Sequence, residues 1–171
     1  TASFLVPVVS AGVGGDCFDA IPLAASRAAL SIADVVGKGV PAALLMCNLQ
    51  AVVRAFATDA AEPGELCHRV NQILCGHIAE GRFISFFYCV ADAEAGAISY
   101  TNAGHFPPIL VRADGSVERL TAGGAVLGAG GLERGGAVGG QRRGADEVGG
   151  RLHSAAAAGG GQAVSDADRG H

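Results

Sequence analysis

Tryptophan is absent from this 171-residue chain, aromatic residues make up 5% of it and a single Met is present. Any core it forms must therefore be aliphatic, and a sequence that is 50% hydrophobic has the material for one. Charge is equally sparse: 12 Lys and Arg against 16 Asp and Glu leave a formal net charge of −4. Binding to nucleic acid rests on clustered cations that neutralise phosphates, so no nucleic-acid partner is expected. There is no long unbroken apolar run and no basic leader followed by an apolar stretch, which predicts a cytoplasmic protein with no membrane partner. The five Cys, at positions 17, 47, 67, 75 and 89, include no CxxC pair. That removes the usual zinc and dithiol motifs and predicts reduced, buried thiols.

What is present is a change of period along the chain. Phe4 to Val9, Phe18 to Leu23 and Ala28 to Val35 are short β-rich runs separated by glycine turns. The first residue is Thr1, not Met, and Ser3 to Val9 already reads as strand, which suggests a piece of something longer. From Pro41, apolar residues recur at three- and four-residue spacing through Ala42, Leu45, Met46, Leu49, Val52, Val53 and Phe56, predicting a helix with one apolar face. A second helix is predicted from Pro63 to Ile78, with Leu66, Val70, Ile73, Leu74 and His77 on one side. Strands return at Phe83 to Asp92, Ala97 to Asn102, Pro108 to Arg112 and Ser116 to Leu120, the last two joined by a turn at Ala113-Asp114-Gly115. Strands, then two adjacent helices, then an antiparallel meander make an α+β fold. Past Ala122 about a third of the residues are Gly, and no aromatic follows Phe106. The chain therefore divides into a domain at 1–128 and an irregular Gly/Ala/Arg-rich tail at 129–171.

Two acidic residues stand out against this background. Asp16 follows Gly14-Gly15, and Asp34 ends a β-rich run just before Gly37-Lys38-Gly39. Carboxylates at strand ends beside glycines suit hard divalent cations, which take oxygen ligands and need close backbone approach. The carbonyl of Val35 is a further oxygen beside Asp34. The bland alternative is that each Asp serves a turn or accepts backbone amides. A phosphate-binding P-loop does not fit, because Gly39 stands where a Ser or Thr must follow the Lys and Ile32 where the first Gly must be.

The segments GGDCFDAI, SIADVVGKGVPAALLM and FISFFYCVADAEAGAISYTNAGHFPPILVRADGSVERL together resemble the bacterial serine phosphatase domain of the stage II sporulation protein E type, within the protein phosphatase 2C superfamily. The resemblance runs in order from about residue 11 to 128. It implies an α-β-β-α sandwich of antiparallel sheets, here incomplete at the C-terminus. It also implies a site for two Mn²⁺ or Mg²⁺ ions and attack of a metal-bridging water on a phosphoserine. Carried over by position, Asp16 and Asp34 match metal-binding carboxylates, and Val35 matches the residue that adds a backbone carbonyl. Gly14, Gly15, Gly37 and Gly39 match turn glycines that shape the site, and Asp19 matches a second Asp with an expected structural role. Asn102, Gly104 and His105 match the NAGH signature, with His105 expected to be a hydrogen-bonded structural residue. The implied substrate is a phosphorylated anti-anti-sigma-type regulator, and the helices at about 40–79 are a candidate surface for regulation or homodimer formation. The family's further strands and acidic ligands have no counterpart after Val126-Leu127-Gly128, and Asp146, Asp166 and Asp168 are not nominated in their place. A frameshifted C-terminal third would produce such a tail, and the chain as written is expected to have little activity. A purely binding or regulatory module is the alternative.

Overall fold

The structure, a computed structural model, describes residues 14–79, 81–112 and 114–129, together with the backbone of 141–143 and 151–153. The expected strand at Phe4 to Val9 lies outside the described residues. Strands β1 (Asp16–Ala24) and β2 (Arg27–Val35) form an antiparallel hairpin. Helices α1 (Val40–Phe56) and α2 (Pro63–Leu74) follow, each with Pro in its first turn, where the missing amide hydrogen is not needed. The chain then runs through β3 (Ile84–Asp92), β4 (Ala97–Ala103), β5 (Ile109–Val111), β6 (Val117–Arg119), β7 (Gly123–Gly124), β8 (Gln141–Arg143) and β9 (Arg151–His153). The larger sheet has the order β1-β2-β3-β4-β7, with β8 also pairing β4, and a smaller sheet has the order β6-β5-β9. Among the described residues, β1 is one margin of the larger sheet.

Period-two alternation decides what lies on each side of the larger sheet. One face carries Ile21, Ala29, Ala33, Val35, Ile84, Phe86 and Tyr88, and these join Met46, Leu49 and Val53 of α1 and Leu66, Val70 and Leu74 of α2 in one core. The other face carries Phe87, Cys89, Ile98 and Tyr100, which meet Leu110 and Leu120 from the region of the smaller sheet. Strand β3 is apolar at nearly every position because both of its faces are covered. The layers are therefore helices, larger sheet, smaller sheet. Both helices among the described residues lie on the larger sheet, so an outer helical layer on the smaller sheet is not among them.

Several expectations need correction. Helix α2 ends at Leu74, four residues short of the predicted Ile78, because the Leu74 carbonyl accepts the amides of both His77 (2.8 Å) and Ile78 (3.0 Å) and closes a tighter turn. Its buried side includes Cys67 and Asn71 in place of Ile73 and His77, which are exposed. Asn71 earns no hydrophobic gain; its Oδ1 accepts the Gly128 amide at 2.9 Å and fastens the end of the described domain to the helix. Of the thiols, Cys67 and Cys89 are buried, Cys17 is half-buried, and Cys47 and Cys75 are exposed; none is in a disulfide. Within the tail expected to be irregular, residues 141–143 pair with β4 and 151–153 with β5. Pairing along an open strand uses backbone groups and needs no apolar periodicity, so composition did not reveal it.

A turn through Asp114-Gly115 forms between β5 and β6, where the sequence predicts one. Arg112 N–H donates to the Ser116 carbonyl at 2.9 Å, and Asp114 Oδ1 accepts the Ser116 amide at 2.8 Å. No helix among the described residues is long and apolar enough to cross a membrane.

Candidate active site

The register of three strands builds the site. Asp16 on β1 stands directly opposite Asp34 on β2, and Asp34 stands directly opposite Ser85 on β3. Residues opposite each other across adjacent strands point to the same face, so the three side chains form one row on the face away from the helices. Burial, and then the hydrogen bond and charge of Asp16 beside it, push the Asp34 carboxyl up to about 6. Two carboxyl groups thus share one small region, the arrangement in which a proton or a cation relieves their repulsion.

The glycines contribute unequally. A Cβ on Gly15 would lie 2.8 Å from the Val35 carbonyl oxygen, and Val35 N–H donates to the Gly15 carbonyl at 3.1 Å, so only glycine allows this approach. A Cβ on Gly14 would meet nothing closer than 4.0 Å, so space alone does not demand glycine there. Gly37 and Gly39 take φ values of +131° and +72°, which side-chain-bearing residues rarely adopt, and they turn the chain from Asp34 into α1. Gly39 is the N-cap of that helix. Lys38 between them is exposed.

Asp19 lies on the opposite face. Its carboxylate takes a two-pronged ion pair from Arg54 of α1, with Nε at 2.8 Å and Nη2 at 2.6 Å, which fits the expected structural role and pins the helix to β1. Beside it, Gln50 Nε2 lies 2.8 Å from Cys17 Sγ, and burial pushes that thiol up to about 11. The NAGH residues close the row from the β4 side. Asn102 Nδ2 donates to the Leu120 carbonyl at 3.2 Å, and its Oδ1 accepts the His105 amide at 2.8 Å. His105 Nδ1 lies 2.9 Å from Ser85 Oγ.

Sequence reasoning missed Ser85 and Arg54. Ser85 has no motif; its one signal is an in-phase position in a strand pairing with Asp34. Arg54 sits 35 residues from its partner and reads simply as a basic residue in the last turn of a helix.

The donor set suits a divalent cation in part. Asp16 and Asp34 face each other at one end of the hairpin, and with the backbone carbonyl of Val35, next to Asp34 in the chain, they offer hard oxygens suited to a single Mg²⁺- or Mn²⁺-like ion. Among the described residues no group of three or more His, Cys, Asp or Glu gathers to hold a metal, so a second ion has no comparable set there.

This fold, with paired carboxylates at a sheet end, places the chain in a known class. A model of the Stage II sporulation protein E (SpoIIE) family matches residues 24–136, and the chain belongs to that family. Asp34, Val35, Gly37 and Gly39 fall within the matched span, and Asp16 lies just before it. The chain is 30% identical to the phosphoserine phosphatase RsbU of Bacillus subtilis over 58% of its own length and 30% of that protein's. It therefore spans less than a third of this curated relative. Among solved structures it is similar to the RsbU and RsbW domains of a Mycobacterium tuberculosis protein, with a TM-score of 0.61 and 31% identity over 73% of this chain and 34% of that one. It also shares its fold with the PP2C phosphatase domain of SpoIIE from Bacillus subtilis, with a TM-score of 0.65 and 18% identity over 77% of this chain and 38% of that one. The same holds for RsbX solved in complex with magnesium, with a TM-score of 0.61 and 17% identity over 77% and 60% of the two chains.

Proposed function

We propose that this chain carries the cation-binding face of a phosphoserine protein phosphatase whose substrate is a phosphorylated anti-anti-sigma-type regulator. The observation that supports this most directly is the facing of Asp16 and Asp34 across adjacent strands, with Gly15 leaving room for the Val35 carbonyl. Those three residues would hold the ion, either Mg²⁺ or Mn²⁺. When bound, it would supply charge neutralisation at a phosphoryl group and activation of water for hydrolysis. The chain's own part is to hold the two carboxylates on one row and to keep a side chain out of the position of Gly15. The paired glycines at 37 and 39 end the strand immediately after those donors. The extent of the catalytic domain is placed at 1–128, and its setting in the cytoplasm. The relatives are RsbU, a phosphoserine phosphatase, and RsbX, solved with magnesium, and both favour this reading.

A second reading has its own support. Val40 and Leu44 of α1 are 62% and 65% exposed, an apolar surface suited to a partner or a second copy of the chain. On that reading the chain is a regulatory module without turnover. One experiment separates the two: titrate the full chain with Mn²⁺ by calorimetry, then assay release of phosphate from a phosphoserine protein. Binding that Asp34→Ala removes, with turnover that falls at least about a hundredfold in the same variant, supports the phosphatase. We expect the turnover itself to be slow, since the described donors offer part of one cation site and no second one. No Mn²⁺ binding at all would leave only the module.

A further inference from the structure

The NAGH stretch supplies a side chain that the proposed site has not yet used. His105 is 7% exposed and is fixed at two points, its amide on Asn102 and its Nδ1 beside Ser85 Oγ. Asn102 is in turn anchored on the Leu120 carbonyl, so the ring is placed by the fold. Its Nε2 is buried and has no hydrogen-bond partner among the described residues. Buried polar atoms are nearly always satisfied, and an unsatisfied one at the edge of a candidate site points to a contact made when the site is filled.

The surroundings of that nitrogen narrow what the contact is. Ser85 is the third member of the row Asp16-Asp34-Ser85, so the imidazole hangs at the inner end of an acidic pair. Burial lowers the His105 pKa, and the charge of Asp16 acts against that effect. A neutral ring has a single N–H to place. A carboxylate only accepts hydrogen bonds, so the tautomer suited to this corner has Nδ1 accepting from the Ser85 hydroxyl and Nε2 carrying the proton. The other tautomer would turn a lone pair toward negative charge.

We propose that His105 is a positioning residue for Asp16, its Nε2–H holding one oxygen of that carboxylate while the other serves a divalent cation shared with Asp34. The inference rests on reading the pair as a cation site. Asp16 is exposed at the outer end of the row, so packing does not lock its side chain in place. Fixing a ligand carboxylate by a hydrogen bond from behind raises the affinity of the metal it holds.

The test uses the full chain and Mn²⁺ alone. His105→Ala is expected to weaken Mn²⁺ binding about 10- to 100-fold, whereas His105→Gln, whose amide N–H reaches to the place of Nε2, stays within about threefold of wild type. His105→Ala binding as tightly as wild type overturns the proposal. Should the Ala variant fail to fold, the wild-type chain gives the answer through its histidine ring nitrogens, followed by NMR during a Mg²⁺ titration. The His105 Nε2 resonance is expected to move in step with saturation, and a resonance that stays put while the site fills overturns the proposal. Retained Mn²⁺ binding in Asp34→Ala would overturn the cation site and this inference together. Loss in Asp34→Ala without loss in His105→Ala would overturn this inference alone.

Discussion

Asp34 sets the pH behaviour of the site. Its folded-state pKa of about 6 stands above the model-compound value of 3.8, so the folded chain holds this proton more tightly than the unfolded chain does. Stability from the protonated pair is full below about pH 4 and is lost as pH rises through about 6. In metal-free buffer, the melting temperature of wild type should therefore fall relative to that of Asp34→Asn between pH 4 and 7.5. Mn²⁺ at pH 7.5 should raise it for wild type and not for the Asn variant. Parallel melting curves for the two proteins across that range would show that the carboxyl groups do not interact. Both aspartates were legible in the sequence because glycines flank them and hard-cation chemistry gives that pattern a meaning. Ser85 was not, since a serine in an apolar strand has no meaning until the register places it opposite Asp34. His105 is hydrogen-bonded through Nδ1 and its amide, as the sequence reading expected, and its orphan Nε2 emerges only from the packing.

At the scale of elements, the helical periodicity of α1 translated directly into burial. Leu49 is 2% exposed and Leu44 is 65% exposed, one helix face apart. Leu49→Ala should lower unfolding free energy by about 2–5 kcal/mol, whereas Leu44→Ala should change it by less than about 0.5 kcal/mol. Chemical denaturation with a common slope for the three proteins checks this. Equal losses at both positions would mean that Leu44 is covered in solution, by a second copy or by another part of the chain. The limits of α1 and of the β3 and β4 strands were readable to within a residue or so, since Pro, Gly and period changes mark them. The end of α2 was not, because the apolar pattern continues through Ile78 while the backbone has already closed on the Leu74 carbonyl. Asn71 was invisible for a related reason. A polar residue on a helix reads as solvent-facing until its partner, the Gly128 amide 57 positions away, is brought to it.

For the whole molecule, the larger sheet separates two cores, and the candidate site belongs to neither. It sits at one end of the β1–β2 hairpin, with the helix core behind it and the smaller sheet's core further along the same face. The α+β class and the order of elements followed from the sequence, because each change of period coincides with a change of element. The pairing of 141–143 and 151–153 did not, since backbone edges accept partners of almost any composition. Binding at the hairpin should be felt locally and unevenly. Addition of Mg²⁺ is expected to slow amide hydrogen exchange in β1 and β2 at least about tenfold while leaving β4 within about twofold. Uniform slowing across all strands would mean that the ion acts on global unfolding alone.

That expectation follows from the position of β1, which among the described residues is at the margin of the larger sheet. An outermost strand is held from one side, so it is the first to peel away, and it carries Asp16. A cation bridging Asp16 to Asp34 would act as a rivet between the loose strand and its inner neighbour. How firmly the ion is gripped and how seldom the margin lifts would then be the same quantity, measured once by titration and once by exchange.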